Sequence, residues 1–492
     1  MRLSNLIAPI KGANLQGSDA DISGISADSR AIEQGSLFMA VSGLTADGRA
    51  FIQDAVAKGA VAVMVEEGTD IATLPQGASY VTVPNARAAL SAIAATFYPR
   101  QPQTIAAVTG TSGKTSTVQF TRDLWTQGGK QAASLGTLGL IAPQVQRYGS
   151  LTTPDPITLH KTLDEIAAQG VTHVAMEASS HGIEFNRLDH VAISLAAFTN
   201  LSRDHLDYHK TMDDYFAAKL RLFTTLLADG GTAIINADVP EFADVKAACE
   251  TRGIKVMCFG RSGCHLLLKA NAPETGGQRM RFELLGKPYE ITLPLIGEFQ
   301  IWNSLCALTL AIASGEDQEI MVQAMEKLAG VAGRLEKIGT TPSGGVVFVD
   351  YAHKPAALEN VLAALRPHVT AHGNNAKLRV VFGCGGNRDK GKRPLMGNIA
   401  QSLADDVIVT DDNPRHEIAA SIRQEILAAC VPCPHLKEIG NRAEAIQAGI
   451  ESLKEGDVLV IAGKGHEEGQ IVGDQVLPFN DADEARKVLN GL

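Results

Sequence analysis

The chain has 492 residues, of which 45% are hydrophobic and 20% are charged, and its formal net charge is −10. The length predicts two to four domains with ordinary globular cores, and the acidic balance excludes a general nucleic-acid binder. No apolar run approaches the length of a transmembrane helix, so we expect no membrane insertion.

The seven cysteines show no disulfide framework and no spacing typical of metal ligands, which favours a reducing cytoplasm. Cys430 and Cys433 come closest to a redox pair, and ordinary thiols are the favoured interpretation.

The first predicted segment covers residues 1–100. It contains a short apolar strand at 61–65 and a helix at 86–97, and it ends in a proline-containing linker at 98–102.

The second segment covers residues 101–332. It begins with an apolar strand at 104–108, followed by an amphipathic helix at 115–127, and further apolar runs follow at 173–176, 191–198 and 232–235. Strands that alternate with helices predict a parallel sheet covered on both faces. The short alternating segments at 255–297 predict a small antiparallel excursion.

The third segment covers residues 333–492 and repeats the alternation, with predicted strands at 346–349, 378–382, 406–410 and 457–462. This pattern predicts a second, doubly wound and Rossmann-like domain. The fold class is therefore α/β with three domains, the central one of P-loop NTPase type and the C-terminal one Rossmann-like.

A glycine-rich turn lies between the strand at 104–108 and the helix that follows it. Such a turn directs backbone N–H groups and the positive helix end at phosphate. Lys114 can reach the outer phosphates of a nucleoside triphosphate, and the Thr115 hydroxyl can hold Mg²⁺. The spacing is shorter than the strict motif, because Val108 stands where its first glycine belongs. A chance Gly-Lys-Thr turn is the alternative, and the flanking strand and helix argue against it. The predicted phosphate-binding residues are Gly110, Thr111, Ser112, Gly113, Lys114, Thr115 and Ser116.

Acidic and histidine side chains follow the next two strands. Glu177 follows the strand at 173–176, and Asp204, His205 and Asp207 follow the strand that ends at Phe198. The carboxyl ends of parallel strands form the ligand crevice, so these groups could hold Mg²⁺ there. A helix-capping Glu–Ser pair is the alternative for Glu177. Lys219, taken alone, predicts a solvated lysine.

Several segments together resemble the Mur ligases, the ATP-dependent amide-forming enzymes of peptidoglycan synthesis. The resemblance extends from Asp28-Ser29-Arg30 to Pro478-Phe479, nearly the whole chain. The segments that carry it are 109–116, 177–181, 199–209, 217–219, 236–238, 333–336 and 350–353.

Four further motifs resemble the members that add meso-2,6-diaminopimelate. Of these, Asp412-Asn413-Pro414-Arg415 is the most telling, and the others lie at 152–156, 383–386 and 463–467. Diaminopimelate differs from lysine by a distal amino-carboxylate, which an arginine can hold through two parallel hydrogen bonds. Without the resemblance, Asp-Asn-Pro-Arg would predict only a turn.

The resemblance implies a two-stage reaction in the bacterial cytoplasm, catalysed by a monomer with ATP as co-substrate and Mg²⁺ as cofactor. ATP phosphorylates the D-glutamyl carboxylate of UDP-N-acetylmuramoyl-L-alanyl-D-glutamate. The amine of diaminopimelate then attacks the acyl phosphate, and ADP and phosphate are released. All partners are small molecules, and the three domains bind, in order, the UDP-muramoyl substrate, ATP and the amino acid.

The resemblance also implies roles for individual residues. The catalytic residues are Lys114, Lys219 and His205. The metal ligands are Thr115, Glu177, His205 and, once carbamylated, Lys219. The remaining nucleotide contacts are Asn236, Asn303, Arg334 and Asp350. The UDP-muramoyl-dipeptide contacts are Ser29, Arg30, Thr152, Thr153, Ser179 and Arg187, with the turn from Gly43 to Gly48. The diaminopimelate contacts are Arg388, Asp412, Asn413, Pro414, Arg415, Gly463 and Glu467.

The chain departs from the family pattern at four positions. Phe185 stands where glutamine is usual and Asn387 where aspartate is usual, and Gln300 and Ser112 replace asparagines. Two alternatives remain at this point: a relative that adds lysine here or glutamate to folate, and a catalytically silent nucleotide-binding regulator. Asp412–Arg415 argues against lysine, and Thr152-Thr153-Pro154 argues against folate. The intact lysine and metal positions argue against the silent regulator.

Overall fold

The computed structural model describes residues 1–43, 47–149, 151–205, 208–274, 277–370 and 375–492. The chain divides into two compact units. The first comprises Met1–Leu268, Glu283–Lys287 and Asn303–Ala324, and the second comprises Lys269–Phe282, Pro288–Trp302 and Met325–Leu492. In the described parts of the chain, every helix is too short or too polar to span a membrane.

The N-terminal part of the first unit is a five-stranded sheet in the order β1-β5-β4-β3-β2, with only β1 antiparallel to its neighbour. The predicted helix at 86–97 is confirmed, and the Asn85 side chain caps it by accepting a hydrogen bond from the Ala88 amide. The elements are α1 (Leu3–Ile7), β1 (Asn14–Gln16), β2 (Gly24–Ser26), β3 (Ser36–Met39), α2 (Ile52–Ala57), β4 (Ala60–Glu66), β5 (Ser79–Val83) and α3 (Ala86–Phe97).

The rest of the first unit is built on a larger sheet, in which β13-β12-β11-β6-β10-β7 are parallel and β8 and β9 follow antiparallel. β6 lies between β10 and β11, so the carboxyl ends of these three strands meet at one edge. The elements are β6 (Thr104–Thr109), α4 (Lys114–Gln127), β7 (Ala132–Gly136), β8 (Gly139–Ala142), β9 (Val145–Arg147), α5 (Pro156–Ala168), β10 (His173–Glu177), α6 (Ser180–Glu184), β11 (Leu195–Phe198), α7 (Met212–Arg221), β12 (Thr232–Asn236), α8 (Phe242–Thr251) and β13 (Lys255–Gly260).

Two predictions for this sheet need correction. The strand predicted at 191–198 begins only at Leu195, because His190 has a left-handed backbone (φ 65°) and the Ile193 amide bonds the Val191 carbonyl in a turn. The excursion predicted to be antiparallel at 255–297 begins with β13, which pairs parallel with β12. The next elements are β14 (Leu266–Glu274), β15 (Gly277–Leu284), β16 (Lys287–Leu293), α9 (Glu298–Ala313) and α10 (Gln318–Met325).

The C-terminal part of the second unit is a six-stranded sheet in the order β17-β18-β22-β19-β20-β21, with only β17 antiparallel. This arrangement confirms the predicted doubly wound domain, and the carboxyl ends of β18, β22, β19 and β20 lie at one edge. The elements are β17 (Glu336–Thr340), β18 (Val346–Asp350), α11 (Pro355–Thr370), β19 (Leu378–Phe382), α12 (Lys392–Leu403), β20 (Asp406–Val409), α13 (Ala419–Leu427), β21 (Leu436–Glu438), α14 (Arg442–Glu451), β22 (Val458–Ala462), β23 (Gly469–Val472), β24 (Gln475–Pro478) and α15 (Asp481–Gly491).

Candidate active site

The phosphate loop connects β6 to α4, and its shape requires both glycines. Gly110 has φ 145°, and a Cβ there would lie 2.0 Å from the Thr199 hydroxyl. Gly113 has φ 84° and immediately precedes the first turn of α4. The Lys114 ammonium donates to the carbonyls of Gly110 and Thr111, each at 2.9 Å. The shortened spacing therefore still forms a tight turn that leads into a helix.

The residues directly after β11 support this loop, and this support was not predicted from the sequence. The Thr111 amide donates to the Asn200 carbonyl at 2.9 Å, and the Thr199 hydroxyl donates to the Ser112 carbonyl at 2.8 Å. The Asn200 side chain accepts from the Ser112 amide at 3.0 Å. Side chains of the neighbouring strand thus fix the backbone that would surround the phosphates.

Glu177, at the end of β10, is buried beside the start of α4. Its Oε1 accepts from the Thr115 hydroxyl at 3.0 Å and from the Thr137 amide at 2.7 Å. Gly136 provides the space, because a Cβ there would lie 2.3 Å from the same oxygen. Ser179, rather than Glu177, caps the helix that follows. A carboxylate held against a hydroxyl is the oxygen donor set that suits Mg²⁺.

Lys219 on α7 is buried, so the solvated lysine predicted from the residue alone is wrong. Its ammonium donates to the Gly110 carbonyl at 2.9 Å and lies 4.3 Å from the centre of the Tyr215 ring. Burial, assisted by the nearby charge of Lys114, lowers the pKa of Lys219 to about 6. This amine is therefore largely neutral at physiological pH and lies directly beneath the phosphate loop.

Histidine rings lie next to Tyr215, the ring that this amine contacts. The His205 ring lies 6.0 Å from Tyr215 and 5.2 Å from His181, and burial lowers the pKa of His205, which favours the neutral, metal-binding form. His209, which was not predicted, is buried with Nε2 3.0 Å from the Ser180 hydroxyl. Asp207, a predicted acidic group, lies outside the described residues.

The residues predicted to bind the muramoyl dipeptide form one contact group next to Glu177. The Thr153 hydroxyl donates to the Glu177 carbonyl at 2.9 Å and lies 3.0 Å from the Ser179 hydroxyl. The Arg187 guanidinium donates to the Thr153 carbonyl at 2.8 Å, and the Thr152 hydroxyl lies 3.2 Å from that of Thr137. Four predicted residues are thus brought together.

Phe185, which departs from the family pattern, lies between two arginines. The guanidinium carbon of Arg87 is 4.6 Å from the ring centre, and that of Arg187 is 5.6 Å away. The aromatic face therefore contacts Arg187 through a cation–π interaction where the family has a glutamine.

The residues predicted to bind the UDP moiety lie in the N-terminal sheet. The Ser29 carbonyl accepts from the Lys58 ammonium at 3.2 Å, and Arg30 pairs with Asp28 at 2.8 Å. Of the predicted turn from Gly43 to Gly48, residues 44–46 lie outside the described residues.

The predicted nucleotide contacts divide between the two units. In the first, Asn236 ends β12, and the Asn303 side chain lies against Gly113, where a Cβ would be 2.3 Å from its Oδ1. In the second, the Asp350 carboxylate is buried and accepts from the amides of Leu335 and Ala352, each at 2.7 Å. Burial raises the pKa of Asp350 to about 6, against the opposing charge of Arg334.

At the carboxyl ends of β20 and β22, the predicted residues Asp412, Asn413 and Glu467 form a polar group in which Asp412 and Asn413 are buried and Glu467 is partly exposed. One Glu467 oxygen, Oε2, accepts from the Asn413 side-chain amide and from the Lys464 ammonium, both at 2.9 Å. Lys464, which was not predicted, is fully buried and also donates to Asn413 Oδ1 at 3.1 Å and to the Gly469 carbonyl at 2.6 Å. The sequence could have indicated this residue, because Lys464 stands between two glycines directly after a predicted strand.

Arg415 has a left-handed backbone, with φ 51°. Its amide donates to the Ile471 carbonyl at 3.0 Å, and its Nη1 donates to the Gly386 carbonyl at 2.9 Å. The turn is closely packed, since a Cβ at Gly386 would lie 2.0 Å from the Pro414 carbonyl oxygen. The Arg415 guanidinium is therefore held in place through Nη1.

The same turn is supported from both sides. Gly463 has φ 120°, a backbone conformation that favours glycine, and a Cβ there would lie 2.8 Å from an Asp412 carboxylate oxygen. Asn387, which replaces the usual aspartate, still accepts from the His416 amide at 3.1 Å, and its neighbour Arg388 is exposed.

A buried ion pair, also not predicted, lies behind the diaminopimelate residues. Arg442 and Asp481 are completely buried and joined by two bonds of 2.7 Å. Arg442 also donates to the Ala462 carbonyl at 3.0 Å, directly before Gly463. The pair therefore connects the start of α15 to the end of β22, where the predicted diaminopimelate residue Gly463 lies.

Comparison with known proteins agrees with this geometry. Family models described as "Mur ligase family, catalytic domain", "Mur ligase middle domain" and "Mur ligase, glutamate ligase domain" match residues 21–98, 108–311 and 333–465. Two relatives named UDP-N-acetylmuramoyl-L-alanyl-D-glutamate–2,6-diaminopimelate ligase are each 50% identical. The protein of Mesorhizobium japonicum covers 99% of both chains, and that of Rhizobium meliloti covers 98% of both.

Solved structures agree as well. The solved structure of a protein with the same name is 33% identical in sequence, with a TM-score of 0.72 over 96% of this chain and 95% of the other. MurF from Acinetobacter baumannii, 20% identical with a TM-score of 0.62 over 94% and 95% of the two chains, shares the fold. The chain therefore belongs to the Mur ligase family of ATP-dependent amide-forming ligases.

Proposed function

We propose that this ligase adds meso-2,6-diaminopimelate to UDP-N-acetylmuramoyl-L-alanyl-D-glutamate, using ATP and passing through an acyl phosphate, as a step of peptidoglycan synthesis. The observation that carries the proposal is the polar group of Asn413, Lys464 and Glu467 beside the fixed Arg415 guanidinium. It occurs in a chain that is 50% identical, over 99% of its length, to a relative named for this activity.

In the first stage, the D-glutamyl carboxylate attacks the γ-phosphorus of ATP, and the bond to the bridging oxygen of ADP breaks. The phosphate loop binds the triphosphate through its amides, and the Lys114 ammonium neutralises the charge that develops on the outer phosphates. Asn236, Asn303, Arg334 and Asp350 bind the nucleotide. Thr152, Thr153, Ser179 and Arg187 orient the dipeptide, with Ser29 and Arg30 on the UDP moiety.

The adjacent oxygen donors of Thr115 and Glu177 would hold one Mg²⁺, and His205 with a carbamylated Lys219 would hold a second. When bound, Mg²⁺ would supply neutralisation of phosphate charge during transfer. Lys219 suits carbamylation because it is buried and its pKa is lowered, which leaves its amine neutral and nucleophilic. The amine nitrogen attacks the carbon of CO₂, loses a proton and becomes an anionic carbamate.

In the second stage, the diaminopimelate amine attacks the acyl carbon, and the tetrahedral intermediate expels phosphate. Arg415 holds the distal carboxylate of the amino acid, and Arg388 adds a further contact to a carboxylate. Glu467, Asp412 and Asn413 accept from the distal ammonium, with Pro414 and Gly463 shaping the turn. Lysine lacks the distal carboxylate and would leave Arg415 unpaired in the complex, which discriminates against it. We further propose that the enzyme works as a monomer in the bacterial cytoplasm on these small molecules.

The test is a ligation assay with meso-diaminopimelate and lysine side by side, measuring phosphate release and the UDP-tripeptide product. We expect wild type to use diaminopimelate and to discriminate strongly against lysine. Arg415→Ala should raise the KM for diaminopimelate about 10- to 100-fold, the effect of losing about 1.5–3 kcal/mol of charged hydrogen bonding.

Arg486→Ala is the control, because this arginine is half exposed and pairs with Glu336 and Asp483. Equal use of lysine by wild type would refute the substrate assignment. ATP binding without turnover on any UDP-muramoyl dipeptide would instead support a silent regulator.

A further inference from the structure

Outside the ligase site, two cysteines and a histidine form a compact group where β13 ends and β14 begins. Cys258 and Cys264 are bonded through their sulfurs, with Cα atoms 5.8 Å apart, within the usual range for a disulfide. Cys258 is buried, whereas Cys264 is exposed to solvent. His265 lies beside both, and one ligand atom from each residue lies within 4.8 Å of the others.

The histidine is oriented towards the sulfurs. His265 Nδ1 lies 3.0 Å from the Cys264 sulfur and 3.5 Å from the Cys258 sulfur. The Cys258 amide donates to the same nitrogen at 3.2 Å, so Nδ1 is a hydrogen-bond acceptor. Burial, with the nearby charge of Lys255, lowers the pKa of His265 and keeps the ring neutral. A neutral Nδ1 next to an exposed cysteine can accept the proton of its thiol.

The turn between the cysteines is held in place by contacts other than the sulfur–sulfur bond. The amides of Arg261 and Ser262 donate to the Asp238 carboxylate at 2.7 and 2.8 Å. The Cys264 amide donates to the Cys258 sulfur at 3.0 Å. These contacts hold the two cysteines facing each other, so little chain entropy is lost when the sulfurs bond.

We propose that Cys258 and Cys264 form a reversible disulfide by exchange with a low-molecular-weight disulfide, which enters at the exposed Cys264. His265 Nδ1 accepts the Cys264 thiol proton, and the thiolate attacks the external disulfide, forming a mixed disulfide and releasing one thiolate. The Cys258 thiol then loses its proton and attacks the Cys264 sulfur, which expels the second thiolate. Two protein thiols and one external disulfide thus give one internal disulfide and two small thiols.

The test uses the full-length reduced protein in buffers of reduced and oxidised glutathione, followed by alkylation and peptide mass spectrometry. We expect an internal Cys258–Cys264 link, and glutathione bound to Cys264 in Cys258→Ser. The chain supplies a matched control, because Cys433 is also exposed, lies close to Cys430, and has the Gln401 amide as its described sulfur contact.

Cys264 should react several-fold faster than Cys433, because His265 Nδ1 lies 3.0 Å from the Cys264 sulfur and can accept the thiol proton. His265→Gln should abolish this difference while leaving the Cys433 rate unchanged.

Two results would overturn the proposal. One is a wild-type Cys264 that stays a free thiol or a stable glutathione adduct under conditions that oxidise Cys433. The other is one equivalent of Zn²⁺ retained by the reduced protein through gel filtration, with both thiols protected from alkylation, since that would make the group a metal site.

Discussion

Lys464 offers the sharpest test of the amino-acid site that we propose in the second unit. The ammonium is fully buried and holds Asn413 and Glu467 in one arrangement, with Glu467 Oε2 occupied by two donors. In the proposed complex, the other carboxylate oxygen of Glu467 would face the ammonium of the amino acid. Lys464→Met keeps the length of the side chain and removes the charge. The cost of losing a charged, buried hydrogen bond is about 1.5–3 kcal/mol.

If that cost falls on amino-acid binding, the KM for diaminopimelate should rise about 10- to 100-fold, since 1.4 kcal/mol corresponds to tenfold. The KM for ATP should stay within about twofold. Phosphate release measured while each substrate is varied separates the two constants, and circular dichroism and a thermal melt confirm folding.

Lys487→Met is the matched control for Lys464→Met. Lys487 also pairs with a glutamate three residues away, Glu484, but its side chain is 70% exposed. We expect the Lys487 variant to match wild type. A folded Lys464→Met with an unchanged KM for diaminopimelate, or with both substrates equally affected, would refute the positioning role.

Three further predictions concern the first unit and the Asp350 carboxylate. Because the folded pKa of Lys219 is about 6, unfolding takes up a proton above that pH, and wild-type stability should rise with pH from about 6 towards 10. Lys219→Met should flatten this rise and, in CO₂-depleted buffer at pH 7, increase the unfolding free energy by up to about 4 kcal/mol. Lys219→Met should also abolish ligation, whereas Lys219→Ala should recover some activity with a short carboxylate; full unrescued activity would exclude the carbamate. Because burial raises the pKa of Asp350 to about 6, its protonated carboxyl contributes to the free energy of unfolding below pH 4, and this contribution is lost as the pH rises through about 6. Asp350→Asn should therefore reduce the difference in unfolding free energy between urea titrations at pH 4 and at pH 7. Phe185→Ala should raise the KM for the UDP-muramoyl dipeptide about 3- to 10-fold, because it removes the aromatic contact of Arg187. Phe185→Gln should raise this KM less. An unchanged KM in both variants would contradict a role of Phe185 in positioning Arg187.

The sequence predicted the elements whose pattern is local. The strands at 104–109 and 378–382 are continuous apolar runs because both faces of a parallel sheet are covered, and the helix at 86–97 has a capping Asn85. The phosphate loop was also predictable, because its glycines and the flanking strand and helix are contiguous in the chain.

The remaining features depend on partners far away in the sequence. The parallel pairing of β13 with β12 is not encoded in the alternation of either strand alone. The burial of Lys219 depends on the loop carbonyl of Gly110, more than a hundred residues earlier. The sequence held one indication of it, because Tyr215 lies four positions before Lys219 and therefore on the same face of α7. Lys464 was missed for the same reason, since Asn413 lies 51 residues away.

The domain boundaries at residues 100 and 332 and the roles given to the site residues remain predictions. The fold, the family and the ATP dependence are confirmed by the sheet topologies and by relatives that match over nearly the whole chain.

The buried Arg442–Asp481 pair also has a consequence for forms of the protein that lack α15. Asp481 begins α15, and its carboxylate holds the arginine that donates to the Ala462 carbonyl beside the proposed amino-acid site. Loss of α15 together with Asp481 would leave a buried guanidinium without its counter-ion, at a cost of about 3–5 kcal/mol. Deletions that include Asp481 should therefore destabilise the end of β22, which carries Gly463 of the proposed amino-acid site.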